Sequence, residues 1–233
     1  HTAVDIATDV IDRIHTTAAS HGRVMVIELM GHKAGWLTLY AGLAGGADIL
    51  LIPEIPYDVE EVCAAVEKRA RAGKRFSIIA MAEGAMTKQE SSMKKKELAK
   101  HREDNKIRFV SDRLAAEIEE KVGVETRTVV PGHVQRGGSP TLRDRVLATQ
   151  MGCAAVESLV AGQMKRVVCL RDNSIITMDI HEALLLDKMM KNTLTPEERE
   201  QIAPNALFDM TTRIAEMQAY KQYLNYIIDH MAL

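Results

Sequence analysis

Apolar residues recur at Val4, Ile6, Val10, Ile11 and Ile14, the spacing of one helical face, so the chain opens within or just at the start of a helix. Val24 to Leu29 is a nearly continuous apolar run, the pattern of a strand buried on both faces. A glycine-punctuated stretch follows, in which Ala34 to Leu43 reads as a helix. Ile49 to Ile52 is a second buried-strand run, ended by Pro53 and Pro56. Asp58 is placed to cap a helix that sets Val62, Cys63 and Val66 on one face. Phe76 to Ala82 predicts a third strand and Thr126 to Val130 a fourth. Strands alternating with helices imply an α/β fold: a Rossmann-like parallel sheet with helices on both faces. Past residue 139 the pattern predicts a long helix, then strand-like runs at Arg166 to Leu170 and Ile175 to Ile180. The final stretch reads as helical, with Ile214, Met217, Leu224, Ile227 and Ile228 in one apolar stripe.

The polar interval from Thr87 to Asn105 interrupts this alternation. Its Lys94, Lys95, Lys96, Lys100, His101 and Arg102 raise the question of nucleic-acid binding. Glu90, Glu97, Glu103 and Asp104 are interleaved, however, and no aromatic residue is present for base stacking. The interval is expected to be a solvated, partly mobile insertion. Composition points the same way for the whole chain. With 46% hydrophobic and 27% charged residues it can build a core, and with 4% aromatics that core rests on aliphatic side chains and methionine. A net charge of −2 argues against nucleic-acid or membrane-surface partners. Cys63, Cys153 and Cys169 form no Cys-x-x-Cys pair, and the expectation is buried thiols in a cytoplasmic protein.

Candidate chemistry concentrates in the segment Glu125 to Pro140. A strand ends near Val130, and the turn after it carries Gly132, His133, Gln135, Arg136, Gly137 and Gly138. Ser139 then reads as a helix N-cap with Pro140 at the first helical position. The pattern predicts Arg127, His133 and Arg136 together at a strand end and a helix entrance, where an anion is favoured. Paired arginines suit a phosphate dianion through several charge-assisted hydrogen bonds. On residue types alone, a phosphate site and a tightly capped turn are equally compatible with this segment. Gly31, at the end of the first strand, lets backbone approach a ligand closely. Glu83, at the end of the third, is placed to accept hydrogen bonds from sugar hydroxyls or to open a helix.

Taken together, these segments resemble the phosphofructokinase family. The resemblance rests on Met30-Gly31, Ala34-Gly35-Trp36, Ala41 to Asp48, Ile52-Pro53-Glu54, Asp144 to Thr149 and above all Gly132-His-Val-Gln-Arg-Gly-Gly-Ser-Pro140. It is clear over roughly residues 1 to 160. It implies a 6-phosphofructokinase, which transfers phosphate to the 1-hydroxyl of fructose 6-phosphate in glycolysis. Met30, Gly31, Glu83, His133 and Arg136 would then line the fructose 6-phosphate pocket. Arg23 and Arg127 would reach the 6-phosphate in a neighbouring subunit's site, which implies a homo-oligomer, dimer or tetramer. Glu54 would lie near an effector nucleotide and its magnesium in allosteric members. His32 stands where many members have arginine, and a neutral imidazole would stabilise less charge near the transferring phosphate. The interval from Glu83 to Arg127 is also longer than in compact bacterial members.

The chain has no Gly-x-x-x-x-Gly-Lys-Ser/Thr loop, and no Thr-Ile-Asp-Asn-Asp motif of the kind that supplies the family's catalytic base. The expected organisation is therefore a sugar-phosphate-binding domain over residues 1–135, then a crossover segment and C-terminal helices over 136–233, without the nucleotide-binding domain. Mg²⁺ with ATP, or pyrophosphate, belongs to the complete enzyme, and the donor is not decided by these residues. The chain alone is expected to be inactive, and its helices after Ser139 to self-associate through exposed apolar surface. The alternative reading is a non-catalytic module that senses a sugar phosphate or nucleotide.

Overall fold

The computed structural model describes residues 1–171, 173–190 and 194–202. Its centre is a four-stranded parallel sheet of β1 (Val24–Leu29), β2 (Ile49–Leu51), β3 (Ser77–Ala82) and β4 (Thr126–Val129) in the order β2-β3-β1-β4. The four strands are those the apolar runs predict, within one residue at each end. Every residue of β1 and β3 is buried, because both strands lie inside the sheet with helices over each face. In register, Val24 lies level with Ser77 and Thr126, and Leu29 with Ala82.

Alternation along the strands sorts the helices into two layers. Val24, Val26, Ile49, Leu51, Ile79 and Met81 pack against α3 (Val59–Arg71) and α6 (Val110–Val122). Leu50 and Ala80, of the opposite parity, face α2 (Trp36–Ala44), where a Cβ on Gly42 would come within 2.2 Å of Leu50. α1 (Thr2–His21) packs beside α2 and buries Ala7, Ile11 and Ala18. It stops at Gly22, whose left-handed backbone (φ 66°) returns its N–H to the Ala18 carbonyl. Asp58 caps α3 as its position predicts, its carboxylate accepting from the Glu60 N–H.

The interval from residue 87 to 105 is more firmly tied than its polarity suggests. It forms α4 (Lys88–Ser91) and α5 (Lys95–Asp104), and α5 has no fully buried residue, with Leu98, His101 and Arg102 half-buried. Glu90, by contrast, is 1% exposed and is held by Arg102, Arg113 and the Thr87 N–H. One acid among the lysines thus acts as an anchor, because two guanidinium groups and a backbone donor satisfy it inside the fold.

The chain divides into two compact units, His1–Ser139 being the described part of the first and Pro140 opening the second. The second unit holds α7 (Leu142–Val160), an antiparallel hairpin of β5 (Arg166–Arg171) and β6 (Ser174–Asp179), then α8 (Ile180–Met190) and α9 (Pro196–Ile202). The helix predicted to open at Ser139 and Pro140 begins later. Thr141 is its N-cap, accepting from the Asp144 N–H, so the cap sits two residues beyond the serine. Along α7 only Ser158 is buried, while Leu142, Val146, Val156, Leu159 and Val160 are exposed. The predicted stripe from Ile214 to Ile228 lies outside the described residues.

Candidate functional site at the carboxyl edge of the sheet

Three strand ends converge where β1, β3 and β4 finish. After Leu29 the chain enters a tight turn in which the Ala34 N–H donates to the Gly31 carbonyl. Gly31 adopts φ 157°, and a Cβ there would lie 2.5 Å from the Ala34 carbonyl oxygen, so only glycine fits. His32 follows with φ 56°, a left-handed conformation uncommon outside glycine and asparagine, of the kind that clusters at ligand sites. From the end of β3, Glu83 reaches across this turn. Its Oε1 accepts from the Gly31 N–H at 3.2 Å and the His32 N–H at 2.7 Å. Gly84 packs beneath, where a Cβ would fall 2.1 Å from the His32 carbonyl oxygen. Glu83 is therefore half-committed to the backbone. Its Oε1 builds the turn, and its Oε2 accepts no hydrogen bond from a described residue.

After β4 the backbone forms a short 3₁₀ helix, Gly132–Arg136, packed against α1. Residues three apart eclipse in a 3₁₀ helix, so His133 and Arg136 stand one above the other. Both are exposed and make no hydrogen bond to a described residue. Gln135 points the other way and is 1% exposed. Its Oε1 accepts from the Met30 N–H at 3.2 Å, and its Nε2 donates to the Gly132 carbonyl at 3.3 Å. The structure thus brings Met30, Gly31, His32, Glu83, His133 and Arg136 to one edge of the sheet. The arrangement offers a carboxylate oxygen, an imidazole and a guanidinium around a backbone turn that admits close approach. That combination suits a polyhydroxylated anion.

Two of the expected residues lie elsewhere. Arg23 precedes β1, and Arg127 lies in the first half of β4, level with Met25. They share one carboxylate. Arg23 Nε donates to Glu125 Oε2 at 2.6 Å, and Arg127 Nη2 donates to Glu125 Oε1 at 2.5 Å. This cluster occupies the amino edge of the sheet, roughly 20 Å from the Gly31 turn at about 3.3 Å per strand residue. The grouping of Arg127 with His133 and Arg136 is thus corrected, since a strand running the depth of the sheet separates residues that are near in sequence. The expected helix entrance also moves: the turn carrying His133 and Arg136 is itself a 3₁₀ helix, and the following α-helix opens only at Thr141. Glu54, on the turn after β2, uses both carboxylate oxygens to accept the Gly35 N–H, at 2.9 and 3.1 Å. Among the described residues no three His, Cys, Asp or Glu side chains are grouped to hold a metal ion.

A cavity of about 660 Å³ opens elsewhere, between Tyr57, Thr87, His101, Arg113 and Glu117. It contains none of the residues just described. Glu125 and Gln135 escaped nomination as functional residues, Glu125 because it reads as a strand-flanking acid. For Gln135 a signal was present, an uncharged polar residue between His133 and Arg136, which stand three apart.

The phosphofructokinase family profile matches residues 1–159, which include the Gly31 turn, Glu83 and the 3₁₀ helix. The chain belongs to the phosphofructokinase family. An ATP-dependent 6-phosphofructokinase of Spirochaeta thermophila is 51% identical over 182 residues, 78% of this chain and 50% of that protein. A pyrophosphate–fructose 6-phosphate 1-phosphotransferase of Streptomyces coelicolor is 47% identical over 182 residues, 78% of this chain and 53% of that one. Among solved structures, the phosphofructokinase of Saccharomyces cerevisiae superimposes with a TM-score of 0.66 at 27% identity, covering 87% of this chain and 27% of that one. The chain spans about half the length of the curated relatives it matches. Relatives named for ATP and for pyrophosphate match it to nearly the same degree. No helix among its described residues is long and apolar enough to cross a membrane.

Proposed function

We propose that this chain supplies the fructose 6-phosphate half of a 6-phosphofructokinase, the complete protein transferring phosphate to the 1-hydroxyl of fructose 6-phosphate in glycolysis. The observation that carries the reading is the convergence of Gly31, Glu83, His133 and Arg136 at the carboxyl edge of the sheet, on a turn built by Glu83 and Gln135. In this reading Glu83 Oε2 accepts a sugar hydroxyl. Met30 and Gly31 let the ring lie against backbone, and His133 and Arg136 donate to the ligand's oxygens. His32 faces the side on which phosphate transfers. Arg23 and Arg127 cannot reach that pocket from the opposite edge of the same sheet. Their separation supports a homo-oligomer, dimer or tetramer, in which they approach the 6-phosphate of a neighbouring subunit's ligand. The exposed apolar side chains of α7 support association as well.

The donor, ATP with Mg²⁺ or pyrophosphate, does not fit the residues described here. They lack a glycine-rich phosphate loop, and no acidic cluster among them could hold the ion. No catalytic base is assigned to this chain, and the chain by itself is expected to be inactive. In the complete protein these parts belong to the remaining length of the relatives, in a cytoplasmic enzyme. Calorimetric titration of the 233-residue chain with fructose 6-phosphate, with fructose as control, tests the reading. Saturable binding of the phosphorylated sugar alone supports it. Equal binding of both sugars, or of neither, refutes a phosphosugar pocket formed by this chain.

A further inference from the structure

We propose that Gln135 is the positioning residue of the phosphosugar site: its buried carboxamide locks the His133–Arg136 turn to the Met30 backbone. The inference rests on the phosphosugar reading for its functional meaning, though the lock itself is a property of the fold. β4 pairs with β1 only as far as Val129 opposite Ile27. Beyond that point the Met30 N–H has lost its strand neighbour, and Gln135 Oε1 takes the place of the strand as its acceptor, at 3.2 Å. The next two N–H groups, of Gly31 and His32, go to Glu83 Oε1. Three successive amides of the ligand turn are thus captured by two side chains, one arriving from β3 and one from the segment after β4.

The amide's orientation follows from its partners. A backbone N–H can only donate and a carbonyl only accept, so the oxygen must face Met30 and the nitrogen must face Gly132. At 1% exposure the group has no water to replace either bond. An apolar side chain would fill the same space without setting a distance. The carboxamide sets two, one to each half of the pocket. In the 3₁₀ helix, anchoring Gln135 inward also turns the eclipsed pair His133 and Arg136 outward on the ligand side. The glutamine therefore acts through its neighbours and touches no substrate atom itself.

Two variants of the full chain test this. Gln135→Met keeps length and volume but has neither hydrogen bond. Gln135→Glu keeps an acceptor for Met30 and loses the donor to Gly132. Three quantities are read: fructose 6-phosphate affinity, thermal midpoint, and amide hydrogen exchange at Met30 against Ile49–Leu51 as a remote reference. Gln135→Met is expected to weaken binding about tenfold and to speed Met30 exchange by at least as much, with the reference unchanged. Gln135→Glu is expected to keep Met30 protected while still weakening binding, which separates the two bonds. A lowered midpoint with unchanged affinity in both variants would make Gln135 merely structural and overturn the proposal. If the unaltered chain binds no fructose 6-phosphate, the phosphosugar reading fails by itself. The lock is then judged by exchange alone, and unchanged Met30 protection in Gln135→Met refutes it. Should Gln135→Met not fold, Gln135→Glu decides by the same affinity comparison.

Discussion

Replacing Glu90 by glutamine isolates the anchor of the polar interval. The carboxylate is 1% exposed and accepts from Arg102 Nε, Arg113 Nη1, Arg113 Nη2 and the Thr87 N–H, all at 3.0 Å. The side chains of Arg102 and Arg113 are themselves 24% and 16% exposed, so both cations depend on this one anion. Burial alone would raise the Glu90 carboxyl. The bonds from Arg113, Thr87 and Arg102 outweigh it and hold the group at about 2, against an ordinary 4.5. That difference corresponds to about 3 kcal/mol of stability. Removing one member of a buried ion pair, which strands its partners, costs about 3–5 kcal/mol by independent precedent. At about 2–4 °C per kcal/mol for a chain of this size, Glu90→Gln should lower the thermal midpoint by about 6–20 °C at pH 7. Circular dichroism melts of the two proteins measure it. A double mutant with Arg102→Met should lose less than the sum of the two single changes, because both remove the same bond. A midpoint shift below about 2 °C would refute the claim that the anchor stabilises the fold.

The same carboxylate makes a pH prediction. Its folded value is depressed, so its contribution is complete above about 4.5 and is lost as pH falls toward about 2. Burial raises the nearby Glu117 carboxyl, which acts in the opposite direction, so Glu90→Gln should flatten the acid limb of a stability profile and leave the neutral limb parallel. At the candidate site, Arg136→Ala should weaken fructose 6-phosphate binding by roughly 10- to 150-fold, the usual 1.5–3 kcal/mol for a charge-assisted contact, whereas Lys94→Ala should be neutral in the same titration. Gly84→Ala should displace the His32 carbonyl, which would lie 2.1 Å from the new methyl, costing about 1–3 kcal/mol in thermal or denaturant unfolding and weakening ligand binding with it. Arg23→Ala and Arg127→Ala, made in the complete protein, should raise the KM for fructose 6-phosphate, and wild-type kinetics for both would remove them from the proposed site.

The sheet was legible from local pattern alone. Val24–Leu29 and Ser77–Ala82 are nearly continuous apolar runs, interrupted only by Glu28 and Ser77, because both faces of an inner parallel strand are covered. The Gly31 turn and the Gly132–Pro140 segment were legible for a different reason. A Cβ at Gly31 would lie 2.5 Å from the Ala34 carbonyl oxygen, and Gly132 and Gly138 adopt left-handed backbone (φ 55° and 79°), so these positions favour glycine for local steric reasons. Tertiary structure alone decided what became of the charges. Glu90 lies among lysines in sequence, and only folding buries it and brings the half-buried Arg102 and Arg113 onto it. Arg127 is six positions from His133, yet β4 carries the two to opposite edges of the sheet. Gln135, unremarkable between a histidine and an arginine, becomes the link between β1 and the 3₁₀ helix because Met30 is 105 residues away in the chain and 3.2 Å away in space. Local patterns record the solvent and steric environment of each residue and its near neighbours. Which charge meets which partner depends on contacts that form only when distant segments pack, and no periodicity in the chain encodes them.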